Sequence, residues 1–315
     1  MKTTAKAFSP AGISSFFEIC DTTNDGTPIT DPEQIGSRGG GFGLEKGVLT
    51  EVSTKKAKAN SIRVFLNGQL APEAETTKTI IQKLLGQAEG TYDVVVRHQI
   101  EVPIGAGFGT SAGGALTAGL ALKDALDLPL TYNQIGRVAH VAEIQCKTGL
   151  GTVGPLMISG CILTVEPGAP GRSIIDRVPL SPDYVVVAGV FGSTPTRQVL
   201  SSAEKRREIN RYGRKTLEAI LDEPRLENFL TCCWDFAEQA GFVTDRVKQL
   251  AKLAKNAGAV GAAQNMVGEA VHAVTFEENA LGVAEAFKKV LPKENILVSK
   301  LDFQGARLVS THETV

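Results

Sequence analysis

The chain has 315 residues, of which 43% are hydrophobic and 21% charged, and its formal net charge at pH 7 is −1. This length suits one large or two modest domains with a sizeable core, and the balanced charge argues against a broad electrostatic attraction to nucleic acid or to a membrane surface. Aromatic residues make up only 6% of the chain, and no basic cluster has aromatic residues interleaved with it.

The cysteines and the hydropathy pattern indicate a cytoplasmic protein. Five cysteines are present, an odd number, and Cys232 and Cys233 are adjacent. No spacing typical of a zinc site occurs, so neither a disulfide scaffold nor a zinc centre is predicted, and a reducing compartment is favoured. The first residues lack the apolar segment of a signal peptide, and no apolar run approaches the roughly 18 residues of a membrane span.

The first hundred residues are predicted to be mainly strands and loops. A short strand from Ala5 is expected to end at a turn around Pro10 and Gly12, and residues 21–35 are predicted to form a polar surface loop. Residues 36–44 contain clustered glycines beside Ser37 and Arg38, which indicates either close approach to a polar ligand or a hairpin. Further strands are predicted at 47–52, 61–66 and 93–102, and an amphipathic helix at 75–88.

The most informative stretch is residues 103–122, where a glycine-rich turn follows a strand and leads into a helix of small residues. Gly105, Gly107 and Gly109 precede the hydroxyl groups of Thr110 and Ser111. Such a turn directs backbone N–H groups and the positive end of the helix dipole to one point, which favours a phosphate. The lysine of a P-loop is absent, and the glycine spacing departs from that of a dinucleotide-binding turn. A tight turn without a ligand stays open as an alternative.

A second informative stretch begins at Thr131, which forms a predicted capping box with Gln134 at the start of a helix. His140, Glu143 and Lys147 share a polar stripe on this helix, separate from its apolar face. A solvated face is one interpretation of the stripe. The other is that Glu143 serves Mg²⁺, a hard cation that is bound by one or two carboxylates together with phosphate oxygens.

The second half of the chain continues to alternate strands and helices, which indicates an α+β fold in two layered domains. A Pro/Gly-rich segment at 166–171 predicts a boundary between domains at 1–168 and 169–315. Strands are predicted at 161–165, 183–188, 270–276, 295–300 and 306–310, helices at 202–221, 226–240, 245–257 and 279–290, and a glycine-rich loop at 258–268.

The segment Pro103–Ala112 resembles the second motif of the GHMP kinases, P-x-x-x-G-[LF]-G-[ST]-S-[AG]. The resemblance implies a two-domain fold, in which an N-terminal domain related to ribosomal protein S5 domain 2 is followed by a ferredoxin-like C-terminal domain. It implies ATP and Mg²⁺ as cofactors, with Ser111 serving Mg²⁺ and phosphate, and it suggests a homodimer. The implied nucleotide-binding residues are Pro103, Gly105, Gly107, Phe108, Gly109, Thr110, Ser111 and Ala112.

Within this family the chain is most similar to the archaeal pantoate kinases, through residues 9–17, 36–41, 140–143, 148–151 and 264–268 together with the central loop. This resemblance implies phosphorylation of pantoate to 4-phosphopantoate in coenzyme A biosynthesis. It further implies that Glu143 and Ser111 serve ATP and Mg²⁺. The implied substrate contacts are Ser37 and His140, with Thr194 approaching from the second domain. Arg38 is not implied by the resemblance, but its place in a glycine-rich segment makes it a candidate cationic anchor, because a guanidinium pairs with a carboxylate through two hydrogen bonds.

Two positions depart from the pattern of this branch. Thr152 stands where relatives commonly have the catalytic aspartate, and Thr164 stands roughly where they have an arginine that suits a substrate carboxylate. A general base typically contributes about 10²–10⁴-fold, so its absence need not abolish phosphoryl transfer. Two alternatives therefore stay open: a GHMP kinase with another acceptor, such as mevalonate or homoserine, and a nucleotide-binding pseudokinase.

Overall fold

The computed structural model describes residues 3–23, 25–193, 202–266 and 268–310. The strands are β1 Thr4–Cys20, β2 Gly36–Lys56, β3 Ser61–Leu66, β4 Gln69–Leu70, β5 Tyr92–Ile100, β6 Cys161–Glu166, β7 Ile174–Val178, β8 Tyr184–Ser193, β9 Gly261–Gln264, β10 Gly268–Phe276, β11 Ile296–Lys300 and β12 Arg307–Val309. The helices are α1 Glu75–Leu85, α2 Thr110–Leu126, α3 Tyr132–Cys146, α4 Val153–Ile158, α5 Ala203–Asp222, α6 Leu226–Gln239, α7 Asp245–Asn256 and α8 Glu277–Phe287. A 3₁₀ turn, Lys293–Asn295, precedes β11.

A mixed sheet forms the N-terminal part of the molecule, with the strand order β12-β1-β2-β5-β3-β4. The long strand β2 pairs with β5 along its second half and with β6 near its start, and β7 extends the sheet beyond β6. The expected turn at Pro10 is wrong, because β1 continues through Pro10 and Gly12. The register with β2 shifts between Pro10 and Ala11, and such a bulge lets a strand accommodate proline.

The glycines at the start of β2 serve strand packing, so the expected hairpin at 36–44 is also wrong. Gly40 and Gly41 pair with β1 on one side and with β6 on the other. A Cβ atom at Gly40 would lie 2.7 Å from the carbonyl oxygen of Ile162. The missing side chains therefore let three strands approach closely beside Ser37 and Arg38.

Helices α1 to α4 cover one face of this sheet, and together they enclose a hydrophobic core. Ile80 and Leu84 from α1 pack with Leu116 and Leu122 from α2 and with Val94 from β5, and all five are fully buried. Because α2 consists largely of alanine, glycine and leucine, it lies close to the sheet, which fixes the position of its N-terminus.

The second sheet has the order β11-β8-β10-β9, and all its pairs are antiparallel. Helix α7 lies between β8 and β9 in the chain, and α8 lies between β10 and β11. The resulting β-α-β-β-α-β arrangement is ferredoxin-like, as the family resemblance implied. Helices α5 and α6 are inserted after β8, and α5 packs against β1 so closely that Gly213 touches the backbone of Phe17.

Two strands beyond residue 168 belong to the first sheet, namely β7 and the C-terminal β12. The division of the chain at residues 168 and 169 therefore stays a prediction. No helix among the described residues is long and apolar enough to cross a bilayer.

Candidate functional site

The predicted phosphate loop forms a tight turn at the N-terminus of α2. Gly105, Gly107 and Gly109 all have positive φ angles, of 77°, 80° and 63°, and helix α2 begins directly afterwards at Thr110. No described side chain caps this helix, so N–H groups of its first turn remain available to an anion. Phe108 and Ala112 are buried, while Pro103 is half-buried.

The loop is held between strand β1 and the turn that joins β9 to β10. The backbone N–H of Gly12 donates to the carbonyl oxygen of Phe108 at 3.1 Å, and that of Met266 donates to the carbonyl oxygen of Ser14 at 2.8 Å. A Cβ atom at Gly107 would lie 2.7 Å from the carbonyl oxygen of Met266. The end of the predicted 258–268 loop thus reaches the phosphate loop from the ferredoxin-like part.

Glu143 and Ser111, which the sequence places on different helices, meet in a network of hydroxyl groups. Thr148 donates to Oε1 of Glu143 at 2.8 Å, and the Ser111 hydroxyl lies near enough to this carboxyl group to help lower its pKa. Thr76, at the start of α1, lies 3.4 Å from the Ser111 hydroxyl and 3.0 Å from that of Thr148. Four side chains from three helices and the loop after α3 therefore converge beside the first turn of α2.

The interpretation of the α3 stripe as a solvated face is wrong for Glu143, which is only 2% exposed. Burial raises the pKa of Glu143 above its ordinary value of 4.5, and the hydrogen bonds from Ser111 and Thr148 act in the opposite direction. A buried carboxylate with few partners beside a phosphate-binding turn has the chemistry of a magnesium ligand, because Mg²⁺ combines one or two carboxylates with phosphate oxygens. The described residues contain no group of three or more His, Cys, Asp or Glu side chains placed around a metal position.

His140 lies on the same helix but acts on the backbone. Its ring is 1% exposed, and its Nε2 atom donates to the carbonyl oxygen of Ile35 at 2.9 Å. Burial lowers the pKa of His140, which favours the neutral ring in this hydrogen bond. His140 thus holds the chain two residues before Ser37, and the direct substrate contact that the resemblance implies stays a prediction.

A cleft opens on the other side of Gly12, and several predicted site residues line it. Ser37, Arg38, Thr152 and Thr164 contribute to its wall, together with apolar side chains such as Phe16 and Leu156. Thr152 connects the cleft to the phosphate loop, because a Cβ atom at Gly109 would lie 2.9 Å from its Cγ2 atom. Thr152 is therefore close to the point where a phosphate on the loop and an acceptor in the cleft would meet.

Arg38 is paired with two acidic side chains. Its Nε atom donates to the carbonyl oxygen of Val165 at 3.0 Å, and its two terminal nitrogens lie 3.4 Å from Glu18 and 3.0 Å from Glu166. Glu18 in turn is bound by Arg214 from α5 at 2.6 Å. The remaining predicted substrate residue, Thr194, lies outside the described residues.

The sequence reasoning missed Thr76, Thr148, Glu18, Glu166 and Arg214. Thr148 stands in the Thr-Gly-Leu-Gly segment, so its closeness to Glu143 could have been suspected from the αL turn that such a sequence allows after a helix. Thr76 and Arg214 give no local signal, because each reaches the site from an element far away in the chain.

Comparison with known proteins agrees with this geometry. Residues 75–159 match the family described as the GHMP kinases N terminal domain. The pantoate kinase of Thermococcus kodakarensis is 32% identical over 301 residues, which cover 92% of this chain and 93% of the relative. The pantoate kinase of Methanocaldococcus jannaschii is 28% identical over 271 residues, which cover 86% and 93%.

A solved structure with the same fold is described as a phosphotransferase related to the CoA biosynthesis pathway. It is 28% identical, it superimposes with a TM-score of 0.84, and the match covers 98% of this chain and all of that one. The two-domain fold, the phosphate loop and a relative that is 32% identical over nearly the full length agree, and the chain belongs to the GHMP kinase family.

Proposed function

We propose that the protein transfers the γ-phosphoryl group of ATP to a hydroxyl group of pantoate, as its pantoate kinase relatives are named to do. One observation carries the proposal. The positive-φ glycine turn, the Ser111–Glu143 cluster and the cleft wall at Ser37 and Thr152 lie around a single junction. Phosphoryl transfer depends mainly on positioning and on charge stabilisation, and this junction offers both.

The phosphate loop would bind the triphosphate through backbone groups. The turn from Gly107 leads directly into the uncapped N-terminus of α2, and no side chain at the glycines keeps a phosphate away from the backbone N–H groups. Gly12 and Met266 contact the loop from two sides and so fix its shape before a nucleotide binds.

Glu143 and the Ser111 hydroxyl would hold Mg²⁺ beside this loop. The metal would supply neutralisation of the charge on the transferred phosphoryl group. Thr148 keeps the Glu143 carboxylate oriented, and Thr76 connects the hydroxyl groups of Thr148 and Ser111. These hydrogen bonds hold the ligand atoms in place without a second acidic side chain.

The acceptor would lie in the cleft with its hydroxyl group toward Thr152. A threonine is a poor general base, so the reaction relies on alignment and on phosphate stabilisation rather than on proton abstraction. Ser37 is well placed to position the acceptor, since a Cβ atom at Gly151, next to Thr152, would lie 2.7 Å from its hydroxyl oxygen. His140 supports Ser37 through the backbone of Ile35.

The test measures release of ADP from ATP and Mg²⁺ with pantoate, mevalonate, homoserine or pantothenate as the acceptor. The proposal expects release with pantoate, and loss of that release in Glu143→Gln. The loss counts only if the Glu143→Gln protein melts no lower than the wild type. Release with mevalonate or homoserine alone would assign another acceptor, an alternative that Thr152 and Thr164 leave open. No release with any acceptor, while ATP still raises the melting temperature, would identify a nucleotide-binding protein without kinase activity.

A further inference from the structure

We propose that Arg38 is the docking point for the carboxylate of the acid substrate, and that Glu166 occupies this point until the substrate displaces it. The inference rests on the proposed function, because it concerns how that cleft selects an acid. It assigns a specificity role to an ion pair that spans strands β2 and β6, and a positioning role to Arg214 on α5.

The position of Arg38 suits a carboxylate anchor. It follows Ser37 in β2 and lines the cleft. Thr164, which stands where the resemblance implies an arginine, is buried and lines the same cleft. Within the described residues, Arg38 is the cationic side chain of the cleft wall, so it is the group available to an anionic substrate.

The two acidic partners of Arg38 differ in a way that identifies the replaceable one. Glu18 has a side chain that is only 4% exposed, and it receives hydrogen bonds from Nη2 and Nε of Arg214 at 2.6 and 3.2 Å. Removing such a buried charge from its partners is costly. Glu166 is 50% exposed, and it is the last residue of β6. Exposed ion pairs contribute little net free energy, so an incoming carboxylate can compete with this one.

The exchange leaves the number of carboxylates bonded to Arg38 unchanged. Arg38 and Arg214 carry two positive charges, and Glu18 and Glu166 carry two negative charges. When the carboxylate of a substrate takes the place of Glu166 on Arg38, one anion replaces another, and the released Glu166 is already at the surface. A neutral ligand offers no such replacement, and for it the contact between Arg38 and Glu166 would remain.

Arg214 makes the exchange favourable through its contact with Glu18. Without Arg214, the buried Glu18 charge would be balanced by Arg38 alone, and Arg38 would attract a second carboxylate only weakly. With Arg214 bonded to Glu18, the positive charge of Arg38 is left for the outer carboxylate. Arg214 is therefore a positioning residue, and it connects helix α5 to substrate selection in the cleft.

The test compares KM and kcat for pantoate among Arg38→Gln, Glu166→Gln and Arg214→Gln. A charge-assisted hydrogen bond contributes about 1.5–3 kcal/mol, so Arg38→Gln should raise KM for pantoate about tenfold or more. Its KM for ATP should stay within about twofold. Glu166→Gln should lower KM for pantoate, because the internal competitor is weakened, and Arg214→Gln should raise it. The primary amide of pantoate should bind weakly to the wild type and respond little to Arg38→Gln.

Arg172→Gln is the matched control, because Arg172 is also a partly exposed arginine bonded at 3.0 Å to a glutamate, Glu33, and is not part of the cleft wall. It should leave KM for pantoate unchanged. Should Arg38→Gln fail to fold, Arg38→Lys and Glu166→Gln still give opposite expected changes in KM. An unchanged or raised KM in Glu166→Gln, together with an unchanged KM in the Arg38 variant, would overturn the inference.

Failure of the inference can be told apart from failure of the proposed function. Wild-type turnover of pantoate with no sensitivity to Arg38 refutes only the docking role. If the wild type releases no ADP with pantoate, calorimetric titration of pantoate into the wild type and into Arg38→Gln decides the question without turnover. Binding that is lost in Arg38→Gln supports the docking role, and equal binding or no binding to the wild type refutes it.

Discussion

Replacing Gly107 with alanine tests how closely the two parts of the molecule meet at the phosphate loop. Gly107 has a φ of 80°, and a left-handed conformation costs a residue with a Cβ atom about 1–2 kcal/mol. Its Cβ atom would also lie 2.7 Å from the carbonyl oxygen of Met266, which forces a backbone shift. Overpacking of this kind adds about 1–3 kcal/mol, so we expect a total loss of about 2–5 kcal/mol in the free energy of unfolding.

Gly68 supplies the matched control, since its φ is 84° and a Cβ atom there would meet nothing within 4 Å. Gly68→Ala should therefore show the conformational cost alone, about 1–2 kcal/mol. Urea denaturation followed by circular dichroism compares the two variants. The rise in melting temperature on adding ATP and Mg²⁺ should shrink in Gly107→Ala and persist in Gly68→Ala. Equal stability losses in the two variants would refute the close contact between the loop and Met266.

Three further outcomes are expected around the junction. Glu143→Gln should raise the melting temperature while abolishing turnover, because it removes a buried charge. Burial raises the folded-state pKa of Glu143 above 4.5, so the wild type becomes relatively more stable as pH falls through that pKa. The stability advantage of Glu143→Gln over the wild type should therefore shrink at low pH. A constant advantage at all pH values would contradict this. Thr148→Val should lower kcat and should lower the free energy of unfolding by about 1.5 kcal/mol. This is the low end for a hydrogen bond to a charged group, because Thr148 itself is exposed. Thr148→Ser should retain the stability and the kcat of the wild type. Thr152→Asp should raise kcat for pantoate about 10²-fold, with Thr152→Asn as the uncharged control.

Local sequence signals predicted most elements of the fold well. The capping box of Thr131 and Gln134 is present at the start of α3, and the helix predicted at 202–221 appears as α5, Ala203–Asp222. The errors occur where distant pairing overrides local preference. Pro10 would end an isolated strand, but β2 pairs with β1 on both sides of the bulge. Strand β9 was predicted as part of a loop, because it has only four residues and begins with a glycine. It forms because it pairs with β10 and helix α6 packs against it.

The contrast between local sequence signals and distant packing also applies to the candidate site. The phosphate loop was predictable because its function requires positive φ angles, and glycine meets that requirement within a few residues of sequence. The burial of Glu143 was not predictable from its stripe on α3, because Thr76, Thr148 and the first turn of α2 cover it. The pairing of Arg38 with Glu18 depends on the register between β1 and β2, and its balance by Arg214 depends on the packing of α5.

The two threonines in the cleft are best understood as one coupled change. By resemblance, Thr152 replaces an acid and Thr164 replaces an arginine, so their joint presence leaves the net charge of the cleft unaltered. Thr152→Asp alone adds a carboxylate beside the phosphates of ATP and the carboxylate of the acceptor, without a cation to balance it. We therefore expect it to raise KM for both substrates while it raises kcat.

Adding Thr164→Arg should reverse that rise in KM for pantoate if the two positions are coupled. Thr164 is 7% exposed, so an arginine there must reach into the cleft or pair with the carboxylate introduced by Thr152→Asp to avoid a buried unpaired charge. Thr164→Arg alone has no such partner and should lower the melting temperature. A double-mutant cycle on KM measures the coupling, and strict additivity would show that the positions changed independently. A favourable coupling would mean that charges at the two positions compensate each other in the binding of the acid.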